Sequence, residues 1–204
     1  MIIYRKTSGE FLEDVDNNLI VDEIKGAFNR QMGWWPPREE SSWNESLRFM
    51  ETAVRRAGLP MDCGVMIEYG IAPTSKRVDF LISGEGQSGA KNLVIVELKR
   101  WKEAIATQMD GVVVTVLNRG LRETTHPSYQ AHTYKTLLLD YNENVQTKDL
   151  TPYSCAYLHN YPGSVPDPLR EPIYREIVDD SPLFFQHDGA KLQEFLRKHV
   201  GKGR

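Results

Sequence analysis

The 204-residue chain reads as an α/β protein, a mixed central sheet flanked by helices, on three observations. Strand-length segments bounded by glycine and proline recur through its middle, over residues 65–71, 76–83 and 92–99. Amphipathic stripes at helical spacing stand on either side of them, over 39–57 and 126–143. The resulting order of helix, three strands, a fourth strand, helix and strand demands a sheet with both parallel and antiparallel neighbours.

Taken in order, residues 1–38 read as an N-terminal arm or short helix packed on the core, and 39–204 as the main domain. Within the arm, Val21, Ile24, Ala27, Phe28 and Met32 fall at helical spacing, and Gly33-Trp34-Trp35-Pro36-Pro37 stops that helix. Trp34 and Trp35 either pack the loop onto the core or stack on bases. From 39 to 57, Trp43, Leu47, Met50 and Val54 form one apolar stripe, with Gly58 as C-cap and Pro60 barring continuation. Pro73 separates the first two strands, and the glycine-rich run 84–89 separates the second and third. A fourth strand is predicted over 111–117, followed by an Asn118-Arg119-Gly120 turn. Pro127 suits the first turn of a helix from 126 to about 143. A last strand over 153–158, a proline-rich loop and a helix over about 188–200 complete the chain.

Composition excludes several classes. Hydrophobic residues make up 40% and charged residues 26%, which fits a packed core rather than disorder. No apolar run approaches the roughly 20 residues of a membrane span, and the start turns charged after four residues, unlike a secretory signal. Two cysteines, Cys63 and Cys155, cannot build a disulfide framework or a cysteine-only metal site, so a reducing, cytoplasmic setting is expected. The net charge of −3 argues against a module that coats nucleic acid non-specifically. It is compatible with an enzyme whose acidic residues hold a metal.

The chemistry concentrates between residues 76 and 101. Residues 93–96 form a continuous apolar run, as in a strand buried on both faces, and the run ends in Glu97-Leu98-Lys99. Alternation puts Glu97 and Lys99 on one face. Asp79 interrupts the apolar strand Val78-Asp79-Phe80-Leu81-Ile82, where Asp is disfavoured. If these strands pair across the glycine-rich turn, Asp79 and Glu97 converge, and a divalent cation relieves their repulsion. Oxygen-only ligands, with the Leu98 backbone carbonyl as a third, favour Mg²⁺ or Mn²⁺. Lys99 beside that cation can orient water and stabilise charge on a phosphate. Gln130 and Tyr134, four apart on a helix, can hold a scissile phosphate or a neighbouring base. Lys76 and Arg77 are further phosphate contacts, and Glu68 is a possible additional carboxylate. His126 reads as a helix-start packing residue, and His159-Asn160 lacks the context of an H-N-H nuclease.

Asp79, Glu97-x-Lys99 and Gln130-x-x-x-Tyr134, in this order, resemble the PD-(D/E)xK nuclease superfamily, and the helix motif resembles its RecB-like branch. Over nearly the whole chain, SSWNESL, GVMIEYGIAPTSKRVDFLISG, NLVIVELKRW and THPSYQAHTY look like the N-terminal nuclease-like domain of bacterial schlafen-group DNA/RNA helicase proteins. The resemblance implies a restriction-endonuclease-like α-β-β-β-α-β core and metal-dependent cleavage of DNA, favoured over RNA. It implies Asp79 and Glu97 as metal ligands, Lys99 as catalytic lysine, and Gln130 and Tyr134 as supporting substrate contacts. The family often adds an acidic residue from the first helix; Glu39, Glu40 and Glu45 compete here, with Glu39 favoured. Arg77-Val78-Asp79 lacks the proline of the family's name. A helicase or ATPase domain C-terminal to this chain is the implied partner, since no G-x-x-x-x-G-K-[ST] loop occurs within it. The alternative expectation is a nucleic-acid-binding or scaffold domain that keeps the fold without the activity.

Overall fold

The computed structural model describes residues 2–71, 74–117, 119–147 and 149–203, so Pro73 and Asn118 lie outside the described residues. The N-terminal segment does more than pack a helix onto the core. Strand β1 (Ile2–Thr7) pairs antiparallel with β2 (Gly64–Gly70) as an edge of the main sheet. Helix α1 (Ser8–Asp16) starts at once, because Thr7 and Glu10 form a capping box: the Thr7 N–H donates to Glu10 Oε2 at 2.8 Å and Thr7 Oγ1 accepts from the Glu10 N–H. Phe11 is fully buried edge-on against Phe80, with ring centroids 5.3 Å apart. The expected helix is α2 (Ile20–Met32), and Trp35 behind it packs on the core with the Lys25 ammonium 4.6 Å from its ring centre. Helix α3 (Glu40–Ala57) buries the predicted stripe and ends at Gly58 in the left-handed conformation.

β2 turns into β3 (Arg77–Glu85) and β3 into β4 (Lys91–Lys99), both pairings antiparallel. The strand expected over 111–117 does not continue this sheet, since β4 already has a neighbour on each side. It forms a separate antiparallel sheet of β5 (Ile105–Ala106), β6 (Val112–Leu117) and β7 (Gly120–Thr125). Helix α4 (Pro127–Tyr141) and the short α5 (Glu143–Thr147) then cross over to β8 (Thr151–Leu158), parallel to β4. After α6 (Arg175–Asp180), β9 (Leu183–Phe185) joins β8 in parallel, and α7 (Gly189–Val200) closes the fold.

The main sheet therefore runs β1-β2-β3-β4-β8-β9, mixed in sense and flanked by helices. One face packs Val65, Ile67, Phe80, Ile82, Val94 and Val96 against α1, α2, α3 and α7; the other packs Leu81, Leu93 and Ile95 against Tyr134 and Leu138 of α4. Cys63 and Cys155 are both buried. Among the described residues no helix is long and apolar enough to cross a membrane.

Because Phe11 fills the centre of the core, Phe11→Ala is expected to cost about 3–5 kcal/mol in urea unfolding, the range for truncating a buried aromatic. A loss below about 1 kcal/mol would show instead that the N-terminal segment is peripheral.

Candidate functional site

The β3–β4 ladder pairs Phe80 with Val96, and one residue further along the same register Asp79 and Glu97 stand opposite each other. Directly opposed residues of an antiparallel pair project to the same face, which sets two carboxyls side by side. The ladder is altered at this point: Asp79 Oδ2 accepts the Leu98 N–H at 2.9 Å, a side chain standing in for a strand carbonyl. The neighbouring strand is distorted at the same level. Glu68 takes a left-handed φ of 52°, between the pairs Ile67↔Phe80 and Tyr69↔Val78. The sheet opens there into a cleft of about 420 Å³ between α3 and α4, at the carboxyl ends of the parallel strands β4 and β8, where ligands of open α/β sheets commonly bind.

Glu97 is 1% exposed. Its Oε1 accepts from Lys99 Nζ at 2.7 Å, while Oε2 has no hydrogen-bond partner among the described residues. The Asp79 carboxyl lies close enough for the two to share a proton. Burial, reinforced by Asp79, pushes Glu97 up to about 8, and burial also raises Asp79. Lys99 is shifted upward because Glu97 and Asp79 together outweigh its desolvation, so it stays cationic.

Helix α4 reaches this cluster through one chain of hydrogen bonds. Lys99 Nζ donates to Gln130 Oε1 at 3.0 Å, and Gln130 Nε2 donates to Tyr134 Oη at 2.9 Å. Gln130 thus uses its amide to fix Lys99 and Tyr134 relative to each other. The Tyr134 hydroxyl proton has no acceptor among the described residues, and burial keeps the phenol protonated.

The remaining sequence candidates line the same cleft with different engagements. Arg77 pairs with Glu68 at 2.7 Å and with Glu39 at 3.4 Å, and its guanidinium lies 5.3 Å from the centre of the Phe28 ring. Glu39 stands at the N-cap position of α3 beside this arginine, without a side-chain capping bond, and is raised by burial. Glu68 is raised to about 7 by burial, and its Oε1 accepts from Trp43 Nε1 at 2.8 Å. Glu39 and Glu68 therefore have a cation already, and Arg77 is held as a wall charge. Lys76 is exposed on the rim. Of the other acids on α3, Glu40 pairs with Lys25, and Glu45 with Arg100 and Asn160.

Sequence reasoning did not single out Trp43 or Ser46, which line the cleft from α3; their spacing from Glu39 by four and seven residues was the available signal. Ser46 Oγ lies 2.9 Å from His159 Nε2. His126 is a buried N-cap of α4, accepting the Ser128 N–H, and His132 meets Asp180 away from the cleft.

The donor set suits a hard divalent cation: two facing carboxyls, an orphaned buried oxygen on one of them, and only oxygen ligands at hand. Without metal, the site carries a pH signature. Glu97 and Glu68 titrate above their ordinary value in the folded state, so the native chain binds more protons than the unfolded one and stability falls as pH rises toward 8. His126, His159 and His199 are shifted down and give the opposite slope, which fades above about 6.5 and is small by about 7.5. Lys99, raised from 10.5, contributes evenly in this window. Thermal melts in EDTA between pH 6.5 and 8 should therefore show a falling Tm that Glu97→Gln flattens; equal slopes in both proteins would contradict the assignment.

Comparison of the chain with protein-family models, with curated proteins and with solved structures returned no match.

Proposed function

We propose that this chain is a Mg²⁺- or Mn²⁺-dependent nuclease domain that hydrolyses phosphodiester bonds in DNA, with a restriction-endonuclease-like core. The observation that carries the reading is the convergence of Asp79, Glu97 and Lys99 at the opened end of the sheet, with one buried carboxylate oxygen left unpartnered when the pair is ionised. Three ionisable groups from two strands are costly to desolvate together, and a fold that keeps them so placed has a use for them.

Asp79, Glu97 and the Leu98 carbonyl would hold the cation, which when bound supplies Lewis-acid activation of water and neutralises charge on the phosphate. The protein's own groups do the rest. Lys99 donates to Glu97 and Gln130, so its third N–H is available to a water or a non-bridging phosphate oxygen. Tyr134 offers its hydroxyl proton from α4, and Lys76 meets a flanking phosphate at the rim. Gln130 fixes the separation of Lys99 and Tyr134 and so sets where the phosphate sits. A helicase or ATPase domain elsewhere in the same protein would deliver the strand.

The test is cleavage of plasmid and of labelled DNA and RNA strands with Mg²⁺, Mn²⁺ or EDTA. Wild type is expected to cut with either metal and not in EDTA, and Asp79→Ala and Lys99→Ala to lose about two to three orders of magnitude in rate. Cleavage unchanged in both variants refutes the site. A wild type that binds nucleic acid and cuts none of the substrates favours a binding or scaffold role.

A further inference from the structure

Ser46 on the cleft wall and His159 behind it form a buried polar pair that the proposed hydrolysis leaves unused. Ser46 comes from the middle of α3 and is 3% exposed; His159 follows β8 and is 1% exposed. They are 113 positions apart in the chain, yet Ser46 Oγ and His159 Nε2 lie 2.9 Å apart. Phe49 stacks on the imidazole, with ring centres 4.3 Å apart, which fixes the plane of the ring. Burial holds His159 below its ordinary value, so the neutral ring carries a single N–H at pH 7.

The position of that proton follows from what surrounds Nδ1. This atom is buried and has no hydrogen-bond partner among the described residues. Asn160 stands close enough to the ring to favour its protonated form, but its Nδ2 is engaged with Glu45 Oε1 at 2.6 Å and no contact to Nδ1 meets hydrogen-bond geometry. An orphaned buried N–H is rarer than an under-used acceptor, which places the proton on Nε2. Nε2 then donates to Ser46 Oγ. The hydroxyl proton of Ser46, with no other partner among the described residues, is left for the cleft that Ser46 lines.

We infer that Ser46 is a substrate-binding donor for a non-bridging phosphodiester oxygen, and that His159 is the positioning residue that aims its hydroxyl into the cleft. The inference rests on the reading that the cleft takes a nucleic-acid strand. Three hydrogen-bond donors then converge from three elements, the Ser46 and Tyr134 hydroxyls and the third N–H of Lys99, a set that matches the acceptor-only oxygens of a phosphodiester.

Two measurements test it. Long-range proton–nitrogen correlation spectra of the free protein should show His159 Nδ1 unprotonated; a protonated Nδ1 overturns the inference, because the Ser46 proton is then bound to the ring. Fluorescence anisotropy with a fluorescein-labelled DNA strand in EDTA should show Ser46→Ala binding about tenfold more weakly while a thermal melt shows it still folded at the assay temperature, its Tm lowered by the orphaned His159 N–H. Ser46→Thr should restore affinity, and His159→Gln, which keeps an N–H donor, should retain more than His159→Phe. Ser46→Ala binding as tightly as wild type overturns the inference alone and leaves the nuclease reading standing. A wild type that neither binds nor cuts DNA or RNA overturns both.

Discussion

The site depends on like charges held opposite one another. Asp79 and Glu97 stand one residue beyond the last rung of the β3–β4 ladder, Phe80 with Val96, where two ionised carboxylates repel. The protein tolerates the arrangement through three compensations. Asp79 takes a backbone N–H, Lys99 sits against Glu97, and the pair retains a proton near neutral pH. Once that proton is lost the compensation is incomplete, since Glu97 Oε2 then has no hydrogen-bond partner among the described residues. An incompletely satisfied buried carboxylate is a poor structural element and a good cation ligand.

The rest of the cleft is organised around that carboxyl pair. Arg77 balances Glu68 and Glu39, so the acidic wall on the α3 side needs no second cation. Gln130 ties Lys99 to Tyr134, so the lysine has one fixed position instead of the many its four-carbon stem allows. His159 plays a comparable part for Ser46. In each case a residue that keeps away from the centre fixes one that faces it, as preorganised sites require.

Much of this was legible in the sequence because it follows from period and register. Alternation puts Glu97 and Lys99 on one face, a glycine-rich turn lets β3 and β4 pair, and four-residue spacing aligns Gln130 with Tyr134. What could not be read depends on long-range partners. Arg77 reads as a phosphate contact until Glu39 and Glu68 are brought to it from other elements. The residues of β6 form an apolar run broken by Thr115 that would suit the main sheet, and only the fact that β3 and β8 already flank β4 assigns them to a separate sheet. The left-handed Glu68 and the edge strand β1 left no local signal either; a short segment such as IIYRKT pairs or frays according to what lies beside it.

In the proposed nuclease the carboxyl pair exchanges its proton for a divalent cation. The most direct measurement is calorimetric titration of Mn²⁺ at pH 7 in two buffers of different ionisation enthalpy. Wild type should bind with release of about one proton, and Glu97→Gln should lose both the affinity and the proton release. Glu97→Gln binding Mn²⁺ as tightly as wild type would contradict the account.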